Sequence, residues 1–251
     1  MKVLVFQHAA AEHPGSFRDF MAADGVQWDA VELDEREAIP DLAPYDALMV
    51  FGGPMDVWQE EAHPWLVAEK QAIRDWVRAG RPYLGICFGH QLLADALGGT
   101  VGLMPTPEVG VRHVALTSEG AASPLFAGTA ASFPTLQWHG AAVTVPPDDA
   151  LVLAANAHCP IQALQIGANA FGIQYHVELT EETVPEWGVI DEYRCALERI
   201  TGEGGQAILE QDVAHLLPIF KAQAERLYRN FHAVVEAHRA VRSASSTAIP
   251  G

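Results

Sequence analysis

The sequence predicts an α/β fold with a mostly parallel central sheet, added antiparallel strands and C-terminal helices. Up to residue 99, short apolar runs alternate with segments of helical periodicity, as expected when helices connect parallel strands. Between residues 109 and 178, strand-like runs follow one another with only turn residues between them, which is typical of antiparallel pairing. Beyond residue 181 the helical pattern returns.

The first part of the chain is predicted to alternate between strand and helix. Apolar runs such as ALMVFGG indicate strands buried on both faces, because helices cover each side of a parallel sheet. The clearest helix has Pro64 near its start and Gly80 as its stop. The predicted strands span residues 3–7, 27–33, 47–53 and 83–87, and the predicted helices span residues 13–25, 63–80 and 89–99.

The second part adds shorter strands and two helices. No linker divides the chain, so one domain is predicted for residues 1–240, with a flexible tail at residues 241–251. The last helix is rich in aromatic residues, which fits a core position or a face between two copies of the chain in a homo-oligomer. The predicted strands span residues 109–117, 131–139, 141–146, 150–156, 161–167 and 170–178, and the predicted helices span residues 181–200 and 215–238.

Composition narrows the class of protein. A formal charge of −17 would repel phosphate backbones and anionic lipid, so neither nucleic acid nor a membrane is expected as a partner. The N-terminus lacks a signal-peptide pattern and no apolar run reaches the roughly 18 residues of a membrane span, so a cytoplasmic location is expected. Three cysteines at unrelated spacings predict neither a disulfide framework nor a metal site, and Cys159 and Cys195 are expected to be buried and inert.

The stretch GICFGH contains the candidate nucleophile, Cys87, where a buried strand runs into a helix. Gly85 and Gly89 would leave room in a tight strand–turn–helix elbow. The positive end of the helix dipole favours a thiolate there, and the N–H of Phe88 could donate to an oxyanion. On this pattern alone, an inert buried cysteine at a strand end is an equal alternative.

Two further segments could complete a site. His176 and Glu178 lie two residues apart at a predicted strand end, which puts both side chains on one face and lets the carboxylate orient the imidazole. The alternative is a surface histidine near a chain turn. In FGGPMDV, Gly52 and Gly53 follow a buried strand, so their backbone N–H groups could face a ligand; the alternative is a simple turn.

Together, GGPMDV, GICFGHQLLADALGG and GIQYHVE resemble the motifs of class I glutamine amidotransferases, above all the glutaminase domain of GMP synthase and its stand-alone relatives. The resemblance covers residues 1 to about 180. It implies a flavodoxin-like three-layer fold with no cofactor and no metal. It also implies a triad with Cys87 as nucleophile, His176 as general base and acid, and Glu178 as the orienting carboxylate. The N–H groups of Gly53 and Phe88 would form the oxyanion hole.

The same resemblance implies a substrate contact from Gln91, and the glycine pair makes the backbone of Gly52 a further candidate contact. His139 is a further candidate contact, with a structural turn histidine as the alternative. GMP synthase would carry an acidic residue soon after the His-Gly pair, where this chain has Ala141 and Ala142. Selectivity for free glutamine is therefore an open question at this point.

The resemblance implies hydrolysis of the glutamine side-chain amide through a cysteine thioester, with ammonia passed to an unknown acceptor or a synthetase partner. One alternative is a γ-glutamyl hydrolase or peptidase acting on another γ-glutamyl amide. Another is a non-catalytic binding module on the same scaffold. No phosphate-cradling glycine-rich loop occurs in these residues, so GMP synthesis by this chain alone is not expected.

Overall fold

One mixed β-sheet organises the chain, and it confirms the α/β fold. The computed structural model describes residues 1–202 and 204–247. The strands are β1 (Lys2–Gln7), β2 (Gln27–Glu32), β3 (Ala47–Val50), β4 (Tyr83–Ile86), β5 (Thr100–Leu116), β6 (Ser132–Val145), β7 (Ala150–Ala155), β8 (Ala163–Ile166) and β9 (Ala170–Ile173). The helices are α1 (Phe17–Ala23), α2 (Trp65–Arg78), α3 (Phe88–Ala96), α4 (Ser118–Ala122), α5 (Thr183–Gly188), α6 (Asp191–Thr201) and α7 (Gly205–Thr247), with a 3-10 turn at Pro124–Phe126.

The sheet has nine strands within the described residues, in the order β2-β1-β3-β4-β9-β8-β7-β5-β6. The strands from β2 to β9 in this order pair in parallel, and all later pairs are antiparallel. Parallel strands bring their carboxyl ends to one edge, which is where sheets of this kind place their ligands. The segments after β3, β4 and β9 therefore meet.

The sheet is strongly curled, and this corrects one part of the predicted fold. β6, the last strand in the order, returns to the segment after β9, where Leu136 and His176 exchange both main-chain hydrogen bonds. A mixed sheet that bends back on itself is not clearly the regular flavodoxin-like three-layer arrangement. The physical reason is the pairing of Leu136 with His176, since β6 stands at the end of the strand order and reaches the segment after β9 only if the sheet bends back.

Several element boundaries differ from the sequence prediction; β5, for example, begins at Thr100 and not at residue 109. The runs 131–139 and 141–146 form one strand, β6, because residues on both sides of Gly140 pair with β5 and the irregularity lies in β5, between Leu103 and Glu108. The predicted helix 181–200 is interrupted between α5 and α6, where Ile190 is extended. α7 runs to Thr247, into the segment predicted as a flexible tail; residues 248–251 lie outside the described part, and the domain boundary at 240 stays a prediction.

Three apolar clusters hold the helices in place. One packs α1 and the second half of α7 on one face of the sheet, and another packs α2 and α3 on the opposite face. The third joins α5, α6 and the first half of α7 to β5 and β6, through residues such as Trp138, Trp187 and Leu217. This third cluster holds the C-terminal helices over the carboxyl edge of the parallel strands. None of the helices described combines the length and the apolar character that crossing a membrane requires.

Candidate active site

Cys87 lies in the predicted elbow between β4 and α3. Its backbone has φ 54° and ψ −104°, a left-handed conformation that is costly for a residue with a Cβ. Gly85 and Gly89 make the tight turn feasible. A Cβ at Gly85 would lie 2.4 Å from the carbonyl oxygen of Gly89, and one at Gly89 would lie 2.1 Å from that of Val50. The glycines flanking the cysteine are therefore required by packing, as the pattern indicated.

The other two cysteines are unsuited to the same chemistry. Cys159 is buried, and burial raises the pKa of its thiol to about 11. Cys195, on α6, is exposed, so the expectation that it is buried is wrong. Cys87 lines a cavity, whereas neither of the others does among the described cavities.

His176 and Glu178 form a close buried pair. The imidazole Nδ1 lies 2.6 Å from Glu178 Oε1, and Glu178 Oε2 accepts a hydrogen bond of 2.9 Å from the N–H of Val177. Both carboxylate oxygens are thus engaged, which fixes the carboxylate and leaves Nε2 as the imidazole nitrogen free to exchange a proton. Trp187 on α5 packs edge-on against the imidazole at a centroid distance of 4.6 Å.

The electrostatics favour a charged imidazole. Burial opposes the charge, but the carboxylate of Glu178 and the neighbouring sulfur of Cys87 raise the pKa of His176 well above its ordinary value. Cys87 acts on His176 both through charge and as a hydrogen-bond partner. Gln174 adds a weaker contact, since its amide nitrogen lies 3.7 Å from Cys87 Sγ. An imidazolium beside a thiolate is the arrangement that activates a cysteine nucleophile.

The loop after β3 is held by a buried ion pair. His8 donates from Nδ1 to the carbonyl oxygen of Gly52 and from Nε2 to Glu69 Oε1, at 2.9 Å each. Burial alone would lower the pKa of His8, but Glu69 outweighs it and the pKa is raised. No carbonyl among the described residues accepts from the N–H of Gly53. Phe88 is the first residue of α3, so its N–H has no partner within that helix.

These segments enclose a cavity of about 210 Å³. Cys87 lies at its base, with only 5% of its surface exposed. Gly53 and Met55 form one wall, and Trp138 and His139 of β6 form another. Tyr193 of α6 closes the cavity from above. A cavity of this size suits a small substrate more than a polymer.

The predicted substrate-contact residues have different surroundings. Gln91 lines the cavity, but its amide nitrogen donates to the carbonyl oxygen of Ala141 and to Gln174. His139 also lines it and donates from Nδ1 to Ala141 at 2.9 Å. Gly52 lies outside the cavity wall, and a Cβ on it would meet the Glu12 carboxylate at 2.2 Å. All three substrate roles stay predictions.

A polar network behind His139 accounts for its orientation. The imidazole Nε2 lies 3.0 Å from Gln137 Oε1 and 3.3 Å from Glu108 Oε2. Although burial would raise it, the pKa of Glu108 is lowered because His139 and Asn156 favour its carboxylate. His139 is therefore fixed structurally while one edge of it faces the cavity.

Two residues of the site, Glu12 and Tyr193, are missing from the sequence prediction. Both are buried, and Tyr193 donates a hydrogen bond to Glu12 across 181 residues of sequence. Burial raises the pKa of Glu12 even though His176 and Tyr193 favour its carboxylate. The only local signals were an acid in the loop after β1 and an aromatic residue at the start of a helix, and neither indicates that the two would meet beside His176.

Known proteins resemble this chain over the segments that contain Cys87, His176 and Glu178. The family model for class I glutamine amidotransferases matches residues 18–186. The glutamine amidotransferase-like protein YfeJ of Salmonella typhimurium is 35% identical over 191 residues, which is 73% of this chain and 78% of that protein. GMP synthase (glutamine-hydrolyzing) of Aeropyrum pernix is 35% identical over 156 residues, or 62% of this chain but only 28% of that protein.

More distant relatives carry names with a wider range of activities, and a solved structure among them shares the fold. Gamma-glutamyl peptidase 3 of Arabidopsis thaliana is 27% identical over 182 residues, covering 68% of this chain and 72% of that protein. A solved structure of a glutamine amidotransferase from Thermotoga maritima superposes with a TM-score of 0.82 at 26% identity, covering 94% of this chain and 98% of that one. The family model spans more than half of the chain, and the chain belongs to the class I glutamine amidotransferase family.

Proposed function

We propose that the protein hydrolyses the side-chain amide of glutamine through a thioester on Cys87 and releases ammonia to an acceptor or a synthetase partner. The observation that carries the proposal is the 2.6 Å contact between His176 and Glu178, next to a cysteine in a left-handed elbow at the base of a cavity. An inert histidine would need neither a fixed carboxylate nor a neighbouring thiol.

The chemistry follows from these positions. The Cys87 thiolate attacks the δ-carbon of glutamine, and the oxygen gains negative charge that the N–H groups of Gly53 and Phe88 stabilise. The carbon–nitrogen bond then breaks as the imidazolium of His176 gives its proton to the departing ammonia. Water, deprotonated by His176, attacks the thioester, and glutamate leaves as Cys87 regains its negative charge. Glu178 keeps the imidazole in one orientation throughout.

A γ-glutamyl hydrolase or peptidase is the second candidate, and one observation favours it. Ala141 lines the cavity directly after His139 and Gly140, at the position where a carboxylate for the α-amino group of free glutamine would be expected. A relative named for γ-glutamyl peptidase activity matches 68% of the chain. With the same triad, the leaving group would be an amine in place of ammonia.

A direct assay separates the candidates. The purified protein is incubated with glutamine, asparagine and a series of γ-glutamyl dipeptides, and the release of ammonia or free amine is measured. Preferred turnover of glutamine supports the first candidate, and preferred turnover of γ-glutamyl dipeptides supports the second. Asparagine, whose side chain is one methylene shorter, tests whether turnover depends on the distance between the α-carbon and the amide. No turnover of any compound and no labelling of Cys87 by a glutamine-like chloroketone would leave a binding module.

Variants test the roles within the triad. Cys87→Ala is expected to abolish turnover while the fold survives. Glu178→Gln is expected to slow turnover less than His176→Ala, because the amide keeps one orienting contact. If Cys87→Ala kept most of the activity, the nucleophile assignment would be wrong. If Glu178→Gln proved the more damaging change, Glu178 would have a role other than orientation.

A further inference from the structure

A second, larger cavity lies on the far side of the segment that carries His176. Its volume is about 430 Å³, against about 210 Å³ for the candidate active site, and the two share no lining residue. Its walls come from the 3-10 turn, the start of β6, the segment after β9, and α7 around Pro218. We call this space the Tyr175 cavity; Phe126, Phe133, Tyr175, Val177, Gln223 and Arg226 line it.

The wall is apolar except for polar groups that lack partners. Phe126, Phe133 and Val177 supply an aromatic and aliphatic surface. The Tyr175 hydroxyl is buried, the residue being 1% exposed, and no group in the described part of the chain hydrogen-bonds to it. The Oε1 of Gln223 is likewise buried without a partner. A buried donor and a buried acceptor without hydrogen-bond partners destabilise the fold, and a ligand that supplies those partners gains the corresponding free energy on binding.

A cation lies at the rim of the same cavity. Arg226 is exposed and its guanidinium forms no ion pair or hydrogen bond with any residue the structure describes, whereas the side chain of Arg229, three positions further along α7, is bound to Glu225. Gly128, opposite, has a positive φ of 73°, and a Cβ there would lie 2.6 Å from Arg226 Nη1. In a chain with a net charge of −17, an unpaired guanidinium beside an apolar cavity is a favourable binding position for an anionic group of a ligand.

The cavity is joined to the candidate active site through the main chain. Tyr175 and Val177 flank His176 and face the cavity, whereas His176 contacts Glu178 on the other side. Leu136 of β6 holds His176 through two main-chain hydrogen bonds of 2.9 and 3.1 Å. Phe133, on the same strand, lines the cavity. A ligand here would touch both segments that position the imidazole.

We infer that the Tyr175 cavity binds a small aromatic carboxylic acid bearing one N–H or O–H group. The ring packs against Phe126 and Phe133, and the carboxylate pairs with Arg226. Small shifts of the Tyr175 and Gln223 side chains, whose polar atoms are buried in the free protein, let the Tyr175 hydroxyl donate to the carboxylate and Gln223 accept from the N–H or O–H. Occupancy restrains the main chain at residues 175–177. The inference concerns binding and does not depend on which amide the active site hydrolyses.

Calorimetry with indole-3-acetate as the probe tests the inference on the full chain. For 13 non-hydrogen atoms, a Kd on the order of 0.1 mM is expected. The neutral indole-3-acetamide is expected to bind at least tenfold more weakly, since it cannot pair with Arg226. Hydrogen exchange of the amides at 175–177 should slow on addition of the acid. No saturable binding at millimolar probe, or equal binding of acid and amide, would overturn the inference.

Variants locate the site. Ala222→Trp fills the cavity from α7 and Arg226→Gln removes its charge; each is expected to weaken binding of the acid at least tenfold. Arg229→Gln, on the same helix but outside the cavity, is the matched control and should change nothing. Tyr175→Phe should weaken binding while leaving the Tm unchanged or higher, because the lost hydroxyl has no partner. A lowered Tm would mean the hydroxyl is already engaged. A dimer that Ala222→Trp abolishes would assign the cavity to a second copy and also overturn the inference.

Discussion

Cys87 illustrates how much of the site depends on single residues. Only one other non-glycine residue among those described, Arg36, shares its positive φ. Such a conformation costs about 1–3 kcal/mol and persists only where the surroundings impose it. The close packing of β4 against α3 imposes it here, and Gly85 and Gly89 permit that packing because no side chain at either position would fit. The sequence pattern predicted this elbow correctly, since the constraint lies within five consecutive residues.

Replacing Cys87 with glycine should reveal the strain. Cys87→Gly and Cys87→Ala are both expected to lose turnover, but Cys87→Gly should be the more stable by about 1 kcal/mol, because only alanine keeps a Cβ at positive φ. The free energies of unfolding from urea titrations give the comparison. An alanine variant as stable as the glycine variant would show that the backbone at residue 87 is unstrained.

The Glu12–Tyr193 pair should control the acid side of the pH–rate profile. Tyr193→Phe removes the hydrogen bond that favours the Glu12 carboxylate, so the pKa of Glu12 rises further and its charge near His176 is lost at a higher pH. We expect the acid limb of kcat/KM to move to higher pH. Tyr45→Phe, which removes a tyrosine–carboxylate bond to Asp29 far from the site, is the control. An unmoved acid limb would exclude a role for the pair.

At the scale of elements, predictability follows the range of the interactions. The alternation of strands and helices up to α3 could be predicted, because each helix connects strands that are close along the chain. The continuity of β6 was not, since it depends on pairing with β5 and on an irregularity between Leu103 and Glu108 of that strand. The cover over the site was also missed. It results from packing of Trp138, Trp187 and Tyr193, which come from three different elements.

The junction of β4 and α3 should tolerate no added methyl group. Gly85→Ala places a Cβ 2.4 Å from the Gly89 carbonyl oxygen, so the helix must shift, at a cost of about 1–3 kcal/mol and with loss of activity. Gly102→Ala in β5 meets nothing nearer than 3.6 Å and is the matched control. Thermal unfolding and turnover of the two variants provide the test; equal behaviour would contradict the packing argument.

Burial of His90 on α3 should make the fold sensitive to acid. Burial lowers the pKa of His90 to about 3, so in the fold it stays neutral over a range in which the unfolded chain is already protonated. The contribution of neutral His90 to the free energy of unfolding is therefore complete above about pH 6.5. It is lost progressively as the pH falls toward 3, at up to about 1.4 kcal/mol per pH unit.

The check is a pair of variants. His90→Gln should show a shallower fall of unfolding free energy between about pH 6.5 and pH 4. His215→Gln, at an exposed position of α7, should follow the unmodified chain. Identical slopes for all three proteins would mean that His90 does not carry the acid sensitivity.

Across the whole molecule, repulsion between the excess acidic residues is the dominant long-range electrostatic interaction. With 32 acidic and 15 basic residues, like charges repel one another across the folded surface more than in the expanded chain. Raising the ionic strength from about 0.01 M to about 0.15 M shortens the Debye length from about 30 Å to about 8 Å. We expect the Tm at pH 7 to rise by about 2–4 °C, corresponding to about 1 kcal/mol.

Scanning calorimetry in sodium chloride and in potassium chloride measures this effect. Equal rises in the two salts indicate screening and not specific ion binding. A Tm that falls with salt would show that favourable ion pairs outweigh the net repulsion. The charge balance was available from the sequence, but the curl of the sheet was not, because it depends on contacts between strands far apart along the chain.

The cover that Tyr193 provides has a practical consequence for protein engineering. The segment that matches the family model ends at residue 186, before Tyr193, and begins at residue 18, after His8 and Glu12. A designer who transplanted only that segment into another scaffold would carry over Cys87, the proposed nucleophile, and His176, its proposed base. His8, which holds the Gly52 loop, and Tyr193, which covers the cavity that contains Cys87, would be left out. The imidazole of His176 would then be exposed to solvent.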